Sequence, residues 1–162
     1  RHMPAATGIG CRGETLMVYF LAGRFPGQHV ENPRQVAAYH YPAEHGPRPP
    51  CFARASLVRL PAQRAFFISG TASIVGHRTV HTDDLLGQCQ TTLENFALVA
   101  AQAGSSVQAL RQCKIYVRHA RDLVAVQAFF RKHLPASTQV GYFLADICRD
   151  NLLVEMEALS LQ

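Results

Sequence analysis

Residues 82–104 constrain this chain more than any other stretch. Leu85, Leu86, Cys89, Leu93, Phe96, Ala97 and Ala100 recur at helical spacing and cover a wide apolar face. Thr82 is the candidate N-cap. Asp83 and Asp84 suit the positive end of the helix dipole, and Gly104 is the expected stop. So broad an apolar face needs a sheet to lie on, and the flanking segments supply strands. Residues 53–60 alternate, residues 64–69 carry Phe66-Phe67-Ile68, and Pro61-Ala62-Gln63 joins the two as a hairpin. Gly70-Thr71-Ala72 breaks the pattern, and 73–75 continue as a short strand after a bulge. Residues 109–117 return as a strand. Residues 123–133 form a second helix, capped by Asp122 and ended by Pro135. Two strands, 139–147 and 152–161, close the chain around an Arg149-Asp150-Asn151 turn. Upstream, 14–22 read as a strand, 23–33 as a loop and 34–41 as a short extended segment. Residues 42–50, with four prolines, read as a stiff loop. The expected fold is α+β, a single sheet of about six strands with two helices packed on one face.

Composition narrows the function classes. With 162 residues the chain is one ordinary domain, 4–162, with no internal repeat and no linker. Arg1-His2-Met3 reads as a cloning scar. Hydrophobic residues at 48% and charged residues at 17% exclude a disordered chain. No apolar run approaches the ~20 residues of a membrane span. The net charge of +5 comes almost wholly from arginine, with Lys114 and Lys132 the only lysines. These arginines are dispersed and carry no aromatic interleaving, so no nucleic-acid or membrane partner is expected. Five cysteines form no CxxC pair, which points to reduced thiols and a cytoplasmic setting. His77-x-x-x-His81 has metal-binding spacing for a helix, but it follows Gly76 and precedes the helix cap, so it lies in a turn. Neither a metal nor an organic cofactor is expected. Gly8 to Gly13 lacks the spacing of a phosphate-cradling loop.

Phe67-Ile68-Ser69-Gly70-Thr71-Ala72, Leu93-Glu94-Asn95, Ile115-Tyr116-Val117-Arg118 and Val154-Glu155-Met156-Glu157-Ala158 resemble the Rid (YjgF/YER057c/UK114) family, whose fold is chorismate-mutase-like. A more specialised likeness runs through Thr7-Gly8-Ile9-Gly10-Cys11-Arg12-Gly13, Glu31-Asn32-Pro33-Arg34-Gln35, Tyr39-His40-Tyr41-Pro42 and Cys51-Phe52-Ala53-Arg54-Ala55. It continues in Ser69-Gly70-Thr71-Ala72-Ser73-Ile74-Val75-Gly76-His77 and Cys148-Arg149. Together these resemble chorismatases of the hydroxybenzoate synthase type. The resemblance implies cleavage of chorismate to pyruvate plus 3-hydroxybenzoate, 4-hydroxybenzoate or both, a product that feeds quinone, pigment or antibiotic synthesis. It covers the C-terminal half of such enzymes. It implies either a homotrimer with sites between subunits or packing on an N-terminal domain in the same chain. Two other readings stay open: a Rid-type enamine/imine deaminase, and a non-catalytic carboxylate-binding module. Deaminases of this fold carry Arg in a Pro-Ala-Arg-Thr-like run. Here the run is Pro135-Ala136-Ser137-Thr138, and Ser137 removes that anchor.

Chorismate carries two carboxylates and an enol ether. Its cleavage needs two anion clamps, a proton donor and a base for the ring proton. Glu155 is the expected acid/base, since its strand neighbours are apolar and burial raises a carboxyl pKa. Period-2 alternation puts Glu155 and Glu157 on one face and Val154, Met156 and Ala158 on the other. Arg54 and Arg149 are the expected carboxylate clamps. The resemblance gives Cys148 an assisting role, with Arg149 expected to lower its thiol pKa. Tyr39 and Tyr142 are expected to donate hydrogen bonds or wall the ring. Gly70 and Thr71 give backbone room and donors, and Ala72 sets the pocket volume. Asp146 shares the face of Cys148 and is assigned no role.

Overall fold

The computed structural model describes residues 3–24 and 26–161. Its strands are β1 (Gly27–Val30), β2 (Ala55–Arg59), β3 (Arg64–Ala72), β4 (Ile74–Val75), β5 (Arg78–Thr79), β6 (Gln112–Val117), β7 (Gln139–Leu144) and β8 (Val154–Leu161). Two helices, α1 (Leu85–Gln102) and α2 (Leu123–His133), complete the element set with four short 3-10 turns. Six strands form one sheet in the order β1-β2-β3-β8-β6-β7, and β4 pairs with β5 as a small separate hairpin. All sheet pairings are antiparallel except β6 with β7. That parallel pair needs a crossover, which α2 supplies. Both helices cover one face. Cys89, Phe96 and Val99 of α1 and Val126 and Phe130 of α2 pack on Phe66, Ile68, Ile115 and Met156 of the sheet. Phe66, Phe96 and Phe130 are fully buried, each contributing about 2–3 kcal/mol of apolar burial. Among the described residues no helix is long and apolar enough to cross a membrane.

The expected sheet and its two helices are present, and the differences are local. α1 starts at Leu85 because Asp84, not Thr82, is the cap, its side chain accepting from the Gly87 N–H at 3.0 Å. His81 and Asp83 have φ of 57° and 62°, so the chain turns into the helix too sharply for it to begin earlier. Gly104, at φ 66°, ends it as expected. The expected loop 23–33 contains β1, whose four residues are too few to show alternation. The expected extended segment 34–41 holds a 3-10 turn at Ala38–His40. The largest correction is at 14–22, which pairs with nothing in the sheet. Leu16, Met17, Val18, Tyr19, Phe20 and Leu21 are 72–88% exposed. Strand propensity makes a strand only where a neighbour offers a ladder, and β8 already fills the sheet's centre.

Candidate active site

β8 lies between β3 and β6, with Val154, Met156 and Ala158 turned into the helix-side core. Alternation therefore sends Glu155 and Glu157 to the opposite face. Glu157 pairs with Lys114 at 2.7 Å and remains partly exposed. Glu155 is only 5% exposed and forms no ion pair among the described residues. Burial raises its carboxyl to about 7, Glu157 adds to the rise, and Arg54 opposes it. The register sets Ala72 on one side of Glu155 and Tyr116 on the other. Burial and Glu157 push the Tyr116 phenol up as well.

β3 makes room for this carboxyl through a bulge. Its pairing with β8 shifts between Ile68 and Thr71, which turns Gly70 toward Glu155. A Cβ on Gly70 would overlap Glu155 Oε1 and lie 2.9 Å from Thr7 Cγ2, so only glycine fits. Thr71 sits opposite Met156, on the helix-side face, and its hydroxyl donates to Ser69 O at 2.9 Å. Ala72, opposite Glu155, shares its face.

Arg54 is 3% exposed, just ahead of β2. Its Nη2 donates to Tyr41 Oη at 2.6 Å and to Val36 O at 3.1 Å. The guanidinium carbon lies 5.6 Å from the Tyr41 ring centre and 5.2 Å from that of Phe52. Its Nε is buried with no hydrogen-bond partner among the described residues. Arg149 comes to the same ring from the turn before β8, 5.4 Å from its centre. Its Nη1 donates to His77 O at 2.9 Å and to Thr79 Oγ1 at 3.4 Å. Two guanidinium groups thus converge on Tyr41, a residue the sequence reading passed over in favour of its neighbour. Tyr39 lies instead beside Glu31, and burial raises both groups above their ordinary values.

Two expectations change. Tyr142 packs against the helix-side core and does not reach this face. Parallel pairing with β6 sets it opposite Ile115, whose side chain is fully buried in that core. Cys148 is exposed, yet its thiol is raised, first by desolvation and then by Glu155, with Arg149 and Arg118 opposing less strongly. A thiol with a raised pKa is a proton donor and not a ready nucleophile. Asp146 instead pairs with Arg118 at 3.2 Å. Ser137 lines a shallow cavity of about 240 Å³ with Arg111, Gln112, Gln139, Leu159 and Leu161, toward the end of β8 away from Glu155.

His77 finds a different partner from the one its spacing suggested. Its Nδ1 lies 2.9 Å from His45 Nε2, and Glu44 Oε1 lies 3.2 Å and 3.4 Å from the two rings. His81 instead stands 3.8 Å from Asp84 at the start of α1. Glu44, His45 and His77 are close enough to share a divalent ion. The positive charge of Arg149, which helps to lower the His45 pKa, works against one.

No protein-family profile matches the chain. It is 45% identical over 172 aligned positions to a 3-hydroxybenzoate synthase of Streptomyces hygroscopicus, a match covering 96% of this chain and 50% of that protein. The crystal structure of a chorismatase superposes with a TM-score of 0.84 at 36% identity, covering 98% of this chain and 51% of that one. A Rid-family protein from Yersinia pestis superposes with a TM-score of 0.61 at 17% identity, covering 83% and 98%. That last likeness shows the fold alone, which is Rid-like. The chain spans about half the length of the curated relatives it matches.

Proposed function

We propose that this chain, a relative of the chorismatases, is the catalytic C-terminal half of such an enzyme and cleaves chorismate to pyruvate and hydroxybenzoate. One observation carries the reading: a buried carboxyl held near pH 7, on the sheet face where Arg54 points, beside a turn that brings in Arg149. A carboxylic acid that is still about half protonated at neutral pH can give its proton to the enolpyruvyl methylene. Arg54, with a spare Nε, and Arg149 suit the two carboxylates of the substrate. Tyr41 orients both guanidinium groups and offers a flat wall to a ring.

The atoms balance without water or oxidant. One proton is added to the enolpyruvyl methylene, the ether C–O bond breaks, and the ring loses one proton as it becomes aromatic. Glu155, ionised after the first transfer, can take the ring proton, and Cys148 can relay it. Aromatisation drives the step, so the contribution of the protein is placement. Positions that this reading gives to the substrate are Arg54, Arg149, Gly70 and Ala72, with Tyr41 taken in place of Tyr39; Thr71, on the helix-side face, and Tyr39, beside Glu31, are left out.

Chromatography of chorismate incubated with the chain, and with the full-length protein, tests this. Pyruvate and a hydroxybenzoate in equal amounts are expected from the full-length protein. Turnover of 2-aminoacrylate with no aromatic product would replace the reading by a deaminase. Chorismate bound but unchanged would replace it by a binding module.

A further inference from the structure

Cys148 and Arg149 stand on the loop 145–153, which joins β7 to β8 just ahead of Glu155. Leu152 N donates to Arg149 O at 3.0 Å and closes its turn. The apolar side of the loop is fixed by Ile147 and Leu152, buried with Ala72 and Ile74 in a small cluster apart from the main core. Its polar side is wrapped around Arg118, the residue that follows β6.

Among the described residues, every bond that the nitrogens of Arg118 donate goes to this loop. Nε donates to Leu152 O at 2.7 Å. Nη2 donates to Ile147 O and to Arg149 O, both at 2.8 Å. Nη1 donates to Asp146 Oδ1 at 3.2 Å, and the backbone N–H to Leu153 O at 3.0 Å. The Arg118 side chain is 12% exposed and that of Asp146 is 81% exposed, so this ion pair is the weakest of the set. Carbonyl oxygens, aimed at one cation from three points of the loop, do the holding. Gln88 of α1 fastens the far end. It is fully buried, its Oε1 accepts from Leu153 N at 2.8 Å, and its Nε2 donates to Asn151 O at 2.8 Å and to His81 O at 3.2 Å.

A guanidinium suits this set and an ammonium does not. Lys offers its donors from a single point and cannot span acceptors that Arg118 meets with three separate nitrogens. Nor does Arg118 keep a fork for a carboxylate, since Nε and both N–H groups of Nη2 are taken. Without the guanidinium, the carbonyls of Ile147, Arg149 and Leu152 would turn to water. That movement would carry the Arg149 side chain away from Tyr41. Arg118 lies outside the main core, so its loss opens the loop and leaves the sheet.

We propose that Arg118 is a positioning residue of the candidate site: its guanidinium is the template around which residues 146–153 fold, and it acts on a bound carboxylate only through Arg149. The second half of this statement rests on the reading of Arg149 as a carboxylate clamp. The first half does not.

Hydrogen exchange in the full-length protein tests the template. The amides of Leu152 and Leu153, which donate to Arg149 O and Gln88 Oε1, are expected to exchange at least about tenfold faster in Arg118→Met and in Arg118→Lys, with β3 and β6 at wild-type rates. Arg118→Lys, which keeps the charge, carries the test alone should Arg118→Met not fold. Unchanged exchange at 152 and 153 would overturn the template. A double-mutant cycle on chorismate affinity tests the route through Arg149, by calorimetry on the Glu155→Gln protein so that no turnover intervenes. Arg118→Lys is expected to raise Kd about tenfold or more when Arg149 is present, and by less than about twofold when Arg149→Ala has been made. Losses that multiply in the double variant would overturn that route. No chorismate binding with Arg118 and Arg149 both intact would overturn the chorismate reading, and the exchange test would then decide the template by itself.

Discussion

Glu155 sits where the fold penalises its ionisation, and that penalty keeps it an acid near neutral pH. Its folded-state value of about 7 lies above the ordinary 4.5. Below pH 4.5 the group is protonated whether folded or unfolded. As pH rises from 4.5 through 7, the unfolded chain releases this proton first and the fold loses stability, by ~3 kcal/mol once both forms are ionised. Glu155→Gln is therefore expected to resist urea better than wild type at pH 8, by about 2–3 kcal/mol, with the gap closing at pH 5. The same titration predicts that kcat for chorismate falls above a midpoint near pH 7, as the donor is lost. Arg54→Lys gives up a planar fork that stacks on two rings and bonds Tyr41. Steady-state kinetics should show KM raised about tenfold or more, with a smaller change in kcat. Glu155 and its face were legible because alternation on a strand needs no tertiary information. Tyr41 was not, because Tyr39 and Tyr41 share a face in an extended chain and part only in the 3-10 turn that the segment adopts. Tyr142 was misplaced because sequence alone does not say which face of a parallel edge strand meets the helices.

The β3 bulge shows how one element makes room for a side chain of its neighbour. It interrupts the regular pairing between Ile68 and Thr71, which then runs on to Ala72 opposite Glu155, and at Gly70 it clears the space that the carboxyl occupies. Gly70→Ala would put a methyl into that carboxyl. Thermal unfolding followed by circular dichroism should show a loss of about 1–3 kcal/mol, with turnover reduced far more than that loss explains. Most of the elements were readable because each carries its own local signal: the α1 stripe, the Gly104 stop, Pro135 after α2. β1 was hidden because four edge residues hold no period. Residues 14–22 misled in the opposite way, since their strand propensity is strong but no strand of the sheet offers them a ladder.

The described residues form a Rid-like unit whose helix side is closed and whose opposite face holds Glu155, with residues 3–10 laid over that face. Residues 16–21 contribute almost nothing to the stability of the unit as it stands, because they are exposed. Val18→Lys with Phe20→Glu is therefore expected to leave the melting temperature of the 162-residue chain unchanged while reducing its self-association in size-exclusion chromatography. The most direct test of the central claim is to give chorismate to the full-length protein and to its Glu155→Gln variant and to quantify pyruvate and hydroxybenzoate together. The account predicts equal amounts of both from the wild type, and turnover at least about a hundredfold slower from the variant with chorismate binding retained. Wild-type turnover by Glu155→Gln would contradict it.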